Sequence, residues 1–304
     1  MNALPHTTAL RGELRRDEPM ARHTTWRVGG PADRFYRPAD REDLAAFLAG
    51  LPDDEPLLWC GLGSNLLVRD GGIRGTVIFL QGALAGLECQ PGGRVRADAG
   101  TACAKVARFA ARRGLVGAEF LAGIPGTMGG ALAMNAGAFG GETWAVVESV
   151  DTVDRAGVIR ERSPADYAIA YRHVTPPAEE WFLGCRLALA SGDSERATAR
   201  IRELLGQRAS SQPTGKPSCG SVFRNPDGDH AARLIESAGL KGWRRGGAVV
   251  STKHANFILN DGGATAADIE EVLVGVQDGV RAHAGVTLEP EVRIVGETGE
   301  ADHG

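Results

Sequence analysis

Two polar side chains, Ser221 and Glu291, are of types that could do chemistry. Ser221 follows Pro217-Ser-Cys-Gly220, a stretch whose proline and glycine make a turn. No histidine stands beside it in a GxSxG elbow, which disfavours an acyl-transfer nucleophile. A hydroxyl can act differently, as proton donor to a carbanion far more basic than itself, and no partner base is then needed. A purely structural role is the commoner reason for such a serine. Glu291 lies in the run Val286–Val295, where Val286, Leu288, Val292 and Ile294 alternate on one face and leave Glu289, Glu291 and Arg293 on the other. That polar face reads most simply as a solvated Arg–Glu pair. His254, in Thr-Lys-His-Ala-Asn, reads as a hydrogen-bonded structural residue; the histidines form no ligand-spaced cluster, and no metal is expected.

Glycine is the chain's most distinctive feature. Seven glycines fall between Gly123 and Gly141, without a repeat. A second loop, Gly61-Leu-Gly-Ser-Asn-Leu-Leu-Val68, follows a strand-like run ending at Cys60 and leads to Asp70-Gly-Gly-Ile-Arg-Gly75. Loops with so few side chains admit something close to the backbone, either another backbone or a ligand. Amides of such turns can face phosphate oxygens, and Ser64 and Asn65 add side-chain donors. Neither GxxxxGK[ST] nor GxGxxG is present, because Leu66 stands where the third glycine would be. These residues alone leave internal packing and a dinucleotide with a diphosphate bridge evenly balanced.

The elements that must carry these residues follow from periodicity. The chain has 304 residues, about two domains' worth, with 43% hydrophobic and 24% charged residues. Short strand-like runs at Leu57–Cys60, Thr76–Leu80, Arg94–Asp98, Val146–Val153 and Trp181–Leu189 alternate with helices at Asp40–Leu48 and Thr101–Arg113, capped by Asp40 and Thr101. In the second helix Val106, Ala107, Ala110 and Ala111 share a face. A charged helix, Ser194–Arg208, links to a second part. There we expect a strand at Ser221–Arg224, a helix at His230–Ser237, strands near Ala248 and Phe257, and a helix from Thr265 to His283. Thr265 and Asp268 suit a capping box, with Ile269, Val272, Leu273, Val276 and Val280 as the buried stripe. The last strand is Val286–Val295. We expect an α+β fold: a polar lead-in over 1–22, one domain over 23–192 and a smaller one over 193–304.

Composition excludes several classes. A net charge of −4 offers no field for nucleic acid. No apolar run would span a bilayer, and residues 1–19 lack the apolar core of a signal peptide. Five cysteines, an odd number without a CxxC pair, suit buried thiols in a reducing compartment. A cytoplasmic monomer is expected.

Several segments together resemble one family. Thr24-Thr-Trp-Arg-Val-Gly-Gly-Pro-Ala-Asp33, Gly61-Leu-Gly-Ser-Asn65, Gly123-Ile-Pro-Gly-Thr-Met-Gly-Gly130 and Asn135-Ala-Gly-Ala-Phe-Gly140 are similar, in order, to the bacterial UDP-N-acetylenolpyruvoylglucosamine reductases. So are Pro217-Ser-Cys-Gly-Ser-Val-Phe223, Ser251-Thr-Lys-His-Ala-Asn-Phe-Ile258 and Glu289-Pro-Glu-Val-Arg-Ile-Val-Gly296, so the resemblance runs over about 23–297. It implies an FAD-binding domain of the vanillyl-alcohol-oxidase type, of two α+β subdomains, followed by a substrate-binding domain. It further implies hydride relay from NADPH through non-covalent FAD to the methylene carbon of UDP-N-acetylglucosamine enolpyruvate, giving UDP-N-acetylmuramate for peptidoglycan.

On this resemblance Ser221 is the proton donor, Arg172 (in Tyr171-Arg172) steadies charge on the enolpyruvyl group, and Glu291 is the third catalytic residue. A carboxyl beside a substrate carboxylate helps only while protonated. The cofactor would be held by Gly29, Gly61, Gly63, Ser64, Asn65, Gly123, Pro125, Gly126, Thr127, Gly130, Asn135, Gly137, Ala138 and Gly140, and the substrate by Lys216, Lys253 and Arg293. Two departures stand out. Ser211 precedes Gln212-Pro213 where relatives often carry lysine, a place Lys216 would have to take. The span from Arg172 to Ser221 is also too short for the tyrosine-bearing lid of one branch, which points to the shorter branch. The rival reading is a sugar or lactone oxidase on the same flavin fold, although neither glycine loop offers a His or Cys for covalent flavin.

Overall fold

A computed structural model describes residues 10–299 and divides the chain into two compact units that interleave in sequence. The first takes residues up to Arg15, Phe35–Gly61 and Val77–Ala197; the second takes Arg16–Arg34, Leu62–Thr76 and the chain from Thr198 onward. By contact, two early segments belong with the C-terminal part. The lead-in differs from expectation. Residues 1–9 lie outside the described residues, but Glu13–Pro19 is a strand, and Met20 just after it is fully buried.

In the first unit a five-stranded antiparallel sheet runs in the order Ile159–Arg162, Val147–Asp154, Glu180–Ala188, Arg94–Asp98, Leu87–Gln90. Helix α1 (Arg41–Ala49) starts as expected: the Asp40 carboxylate accepts the Asp43 amide at 2.9 Å. Its Leu44, Phe47 and Leu48 share a core with Tyr36, Ile78, Val153 and Leu183. Helix α2 (Cys103–Ala111) buries Val106, Ala107, Ala110 and Ala111. Thr101 does not cap it; its hydroxyl donates to the Gly86 carbonyl at 3.1 Å, and Ala102 takes the cap position. The short helix α3 (Met128–Ala133) lies inside the glycine run. Helix α4 (Ser194–Ser211) carries the chain into the second unit.

The second unit is built on α5 (Ala231–Ser237), α6 (Ala266–Ala284) and an antiparallel sheet of Arg244–Arg245, Ala248–Val250 and Ile258–Asn260. The α6 stripe packs in one core with Val222, Phe223, Leu288 and Val292, joined by Trp26 and Leu67 from the early segments. Trp26 is completely buried, and its indole donates to the Ile258 carbonyl at 2.8 Å. The expected strand Val286–Val295 is regular only over Arg293–Val295, which pairs in parallel with Leu66–Val68. Ser221–Arg224 is not a strand; Phe223 makes an isolated bridge to Pro290.

Helix α6 carries the Thr265–Asp268 capping box and a second cap from the glycine loop: the Asp70 carboxylate accepts the amides of Ala266 (3.0 Å) and Ala267 (2.9 Å). A carboxylate on two orphan amides at the positive end of a long helix is the strong form of this contact. Asp70→Ala should cost about 1–2 kcal/mol, lowering the melting temperature by roughly 3–6 °C. An unchanged melting curve would show that the capping box suffices alone.

Cys60, Cys103, Cys185 and Cys219 are buried free thiols, and burial pushes Cys103 up to about 12; Cys89, expected buried, is exposed. No helix among the described residues is long and apolar enough to cross a membrane.

Candidate active site

The candidate residues form two groups, one in each unit. In the first, the glycine run proves to be mainly a packing device. A Cβ on Gly123 would strike Phe139 and Ala138, one on Gly137 the Gly141 carbonyl, one on Gly141 the Phe120 ring, and one on Gly61 the Thr127 hydroxyl. At Gly130 and Gly140 a Cβ would meet nothing within 4 Å. The first two amides of α3 are tied internally: Met128 donates to Thr101 (2.9 Å) and Gly129 to Ala99 (2.8 Å). The Gly126 carbonyl likewise accepts the Cys103 amide at 3.0 Å. Thr127 is buried, while Pro125, two positions before it, is exposed.

Asn135 organises the second half of this loop. It is buried, and its side-chain amide donates to the Glu142 carboxylate (3.0 Å) and the Ala170 carbonyl (3.3 Å) while its Oδ1 accepts the Trp144 amide (3.1 Å). Asn135 and Phe139 both hold positive φ, 44° and 53°, a conformation non-glycine residues keep only when their surroundings impose it.

Arg172 is delivered by a feature that the sequence does not announce. Ala168–Ala170 and His173–Thr175 form a two-stranded hairpin, with Tyr171 and Arg172 as its two-residue turn. Arg172 has φ 53°, and its guanidinium sits 4.9 Å from the Tyr171 ring centre. Its Nη1 donates to the Asn135 carbonyl at 3.3 Å and its Nη2 to the Gly137 carbonyl at 3.1 Å. So Arg172 is joined to the 135–137 loop.

In the second unit Ser221, Glu291 and Asn65 are joined by backbone. The Glu291 amide donates to the Val222 carbonyl at 2.7 Å, and the Arg224 amide donates to the Glu289 carbonyl at 2.9 Å. Asn256 holds the other side of the serine segment: its Oδ1 accepts the Phe223 amide (2.9 Å), its Nδ2 donates to the Phe223 carbonyl (2.8 Å), and its own carbonyl accepts the Val222 amide (3.0 Å). This buried asparagine replaces a neighbouring strand, which explains why Ser221–Arg224 lacks regular pairing. The thiol of Cys219, two residues before the serine, is pushed up by its burial and secondarily by the Glu291 charge.

Asn65 meets the same segment, its Nδ2 donating to the Glu291 carbonyl (3.1 Å) while its own carbonyl accepts the Arg293 amide (3.0 Å). Gly63 (φ 63°) is closed against the His23 carbonyl and Gly29 against Val68. Ser64 is partly buried. Arg293 and Lys253 are exposed, and Lys253 Nζ donates to the Ala209 carbonyl near the end of α4 at 2.5 Å. Lys216 pairs with Asp261 at 3.4 Å, a carboxylate that also takes Arg244 at 3.0 Å. Asn256 is the residue that sequence reasoning misses; within Ser251–Ile258 nothing local separates a brace from a surface amide.

The residues fit FAD in the sense this fold allows. The loops are tightly packed on the protein's side, yet Gly130 and Gly140 keep an open face where a side chain would otherwise stand. Large flavin ring systems and diphosphates require that combination of rigidity and close backbone approach.

Comparison with known proteins agrees. Residues 32–163 match the FAD binding domain family, and residues 212–295 match the C-terminal domain of UDP-N-acetylenolpyruvoylglucosamine reductase. The chain is 64% identical to the UDP-N-acetylenolpyruvoylglucosamine reductase of Alkalilimnicola ehrlichii, over 94% of this chain and 96% of that protein. It is 60% identical to that of Methylococcus capsulatus over 94% of each. Among solved structures, the Thermus caldophilus reductase superposes with a TM-score of 0.80 at 35% identity, covering 93% of this chain and 98% of that one. The fold also resembles 6-hydroxy-D-nicotine oxidase from Arthrobacter nicotinovorans, with a TM-score of 0.57 at 13% identity over 94% of this chain and 88% of that one. That likeness concerns architecture alone; the flavin domain is shown by the match over residues 32–163. At the level of sequence, the two matched domains and the near full-length identities converge on one assignment: the chain belongs to the UDP-N-acetylenolpyruvoylglucosamine reductase family.

Proposed function

We propose that this chain reduces the enolpyruvyl group of UDP-N-acetylglucosamine enolpyruvate to UDP-N-acetylmuramate, with NADPH as hydride donor, in the cytoplasmic stage of cell-wall synthesis. The observation that carries it is the 64% identity over 94% of the chain. When bound, FAD supplies the hydride relay between NADPH and the substrate carbon. The chain's own residues do the rest. Gly130 and Gly140, with Pro125 and Thr127 of the same loop and Ser64 of the other, hold the cofactor. Ser221 delivers a proton to the carbon adjacent to the one receiving hydride. Arg172 stabilises the charge that develops on the enolpyruvyl carboxylate. Lys216, Lys253 and Arg293 are the cations assigned to the substrate's diphosphate and carboxylate.

Glu291 is assigned a hydrogen bond donated to the substrate carboxylate as the enolate forms. Glutamine can donate the same bond, so Glu291→Gln should lose less than about tenfold in kcat, against about 10²–10³ for Glu291→Ala. Equal collapse of both variants would sink this role.

Purified enzyme should consume NADPH quickly only when the enolpyruvyl sugar is present, without taking up oxygen in proportion. Oxygen consumption that tracks a sugar or lactone, with no dependence on the enolpyruvyl sugar, would replace this reading by an oxidase.

A further inference from the structure

We infer that Asn65 is a positioning residue for Glu291, tying the Gly61–Asn65 loop to the strand that carries the carboxyl; this rests on the role given to Glu291 above. The resemblance places Asn65 among cofactor-binding residues, but the geometry assigns its side chain a further task. Its Nδ2 donates to the Glu291 carbonyl at 3.1 Å, and its own carbonyl accepts the Arg293 amide at 3.0 Å. It therefore holds the main chain on both sides of Val292, a buried residue anchored in the α6 core. Arg293–Val295 continues in parallel register with Leu66–Val68, so Asn65 stands at the head of that pairing. The Glu291 amide is fixed separately, to the Val222 carbonyl at 2.7 Å. Glu291 is thus held from the serine segment through its N–H and from the glycine loop through its C=O. Loss of the Asn65 bond releases the Glu291 carbonyl from the glycine loop while the amides of Glu291 (2.7 Å) and Val292 (3.4 Å) stay on the Val222 carbonyl, so the strand can shift against the loop and carry the carboxyl with it. A displacement of about 1 Å is enough to cost two orders of magnitude in a positioned site.

Asn65→Asp tests this at constant volume, since it exchanges the amide donor for an acceptor facing the Glu291 carbonyl; Asn65→Ala removes the group altogether. In the FAD-loaded enzyme either variant should lose about 10–100-fold in kcat, the usual range for a residue that orients a functional group. With FAD saturating, the KM for the enolpyruvyl sugar should stay within about threefold, and the rate of flavin reduction by NADPH should not change. In a Glu291→Ala background the same substitution should cost less than about threefold more, because there is no carboxyl left to misplace. Amide exchange at Arg293 should also quicken in Asn65→Ala. Additive losses in the double variant would overturn the proposal, as would turnover fully restored by saturating FAD. Should Asn65→Ala fail to fold, wild-type turnover in Asn65→Asp is sufficient to overturn it. The underlying reading of Glu291 fails separately, if Glu291→Ala alone turns over normally.

Discussion

Ser221→Ala should leave reduction of the enzyme by NADPH at its normal rate and slow reoxidation by the enolpyruvyl sugar about 10²–10⁴-fold, the usual contribution of a positioned proton donor. The substitution removes one oxygen from a backbone that is held from elsewhere. Val222 and Phe223 are fixed by three hydrogen bonds to Asn256 and by the Glu291 amide, none of which uses the serine side chain. Gly220 keeps its φ of 83° whichever residue follows. The fold and the melting temperature should therefore hardly move, and the loss should fall on one half-reaction. Stopped-flow absorbance separates the two: bleaching on mixing with NADPH, then return of colour on adding the sugar anaerobically. Ser221→Cys, which keeps a proton donor of similar shape, should recover part of the second rate. Return of colour at the wild-type rate in Ser221→Ala would remove the serine from the mechanism.

Much of what supports that test is legible in the amino-acid sequence, and the rest is hidden there for physical reasons. The α6 stripe is readable because five apolar residues at helical spacing have one arrangement that buries them, and all five are buried. The Asp40 cap is readable because it is local. Thr101 fails as a cap because its hydroxyl finds Gly86, a partner fifteen positions away, and sequence spacing carries no signal for such a choice. The interleaved units are invisible for the same reason: Trp26 and Leu67 look like any apolar residues of the first part, yet they pack with α6. The Ser221–Arg224 segment reads as a strand because Val222 and Phe223 are both apolar and both buried, but an asparagine side chain supplies the partner that a strand would. The glycines pose a choice between internal packing and an approaching ligand. Position by position, both occur: Gly123, Gly137 and Gly141 are demanded by neighbouring protein atoms, while Gly130 and Gly140 leave space open.

Arg172→Lys should lower kcat about 10²–10³-fold, the cost of removing a preorganised charge-stabilising donor, although the positive charge remains. The geometry gives the reason. Two different nitrogens of one planar group reach two carbonyls, Asn135 at 3.3 Å and Gly137 at 3.1 Å. A lysine ammonium is a single point on a flexible stem and cannot span both while keeping a fixed face toward a carboxylate. The hairpin turn adds a second constraint, because Arg172 is held at φ 53°, where an ordinary side chain is strained. That strain makes Arg172→Gly informative: the backbone relaxes, so any defect belongs to the missing guanidinium and not to a disturbed turn. Arg172→Gly should be at least as slow as Arg172→Lys with its melting temperature undiminished, and millimolar guanidinium in the buffer should restore part of the rate. Rescue by guanidinium but not by an equal concentration of methylammonium would isolate the planar fork as the active element. Wild-type turnover in Arg172→Lys would instead reduce Arg172 to a latch on the 135–137 loop, a role that a lone ammonium can fill.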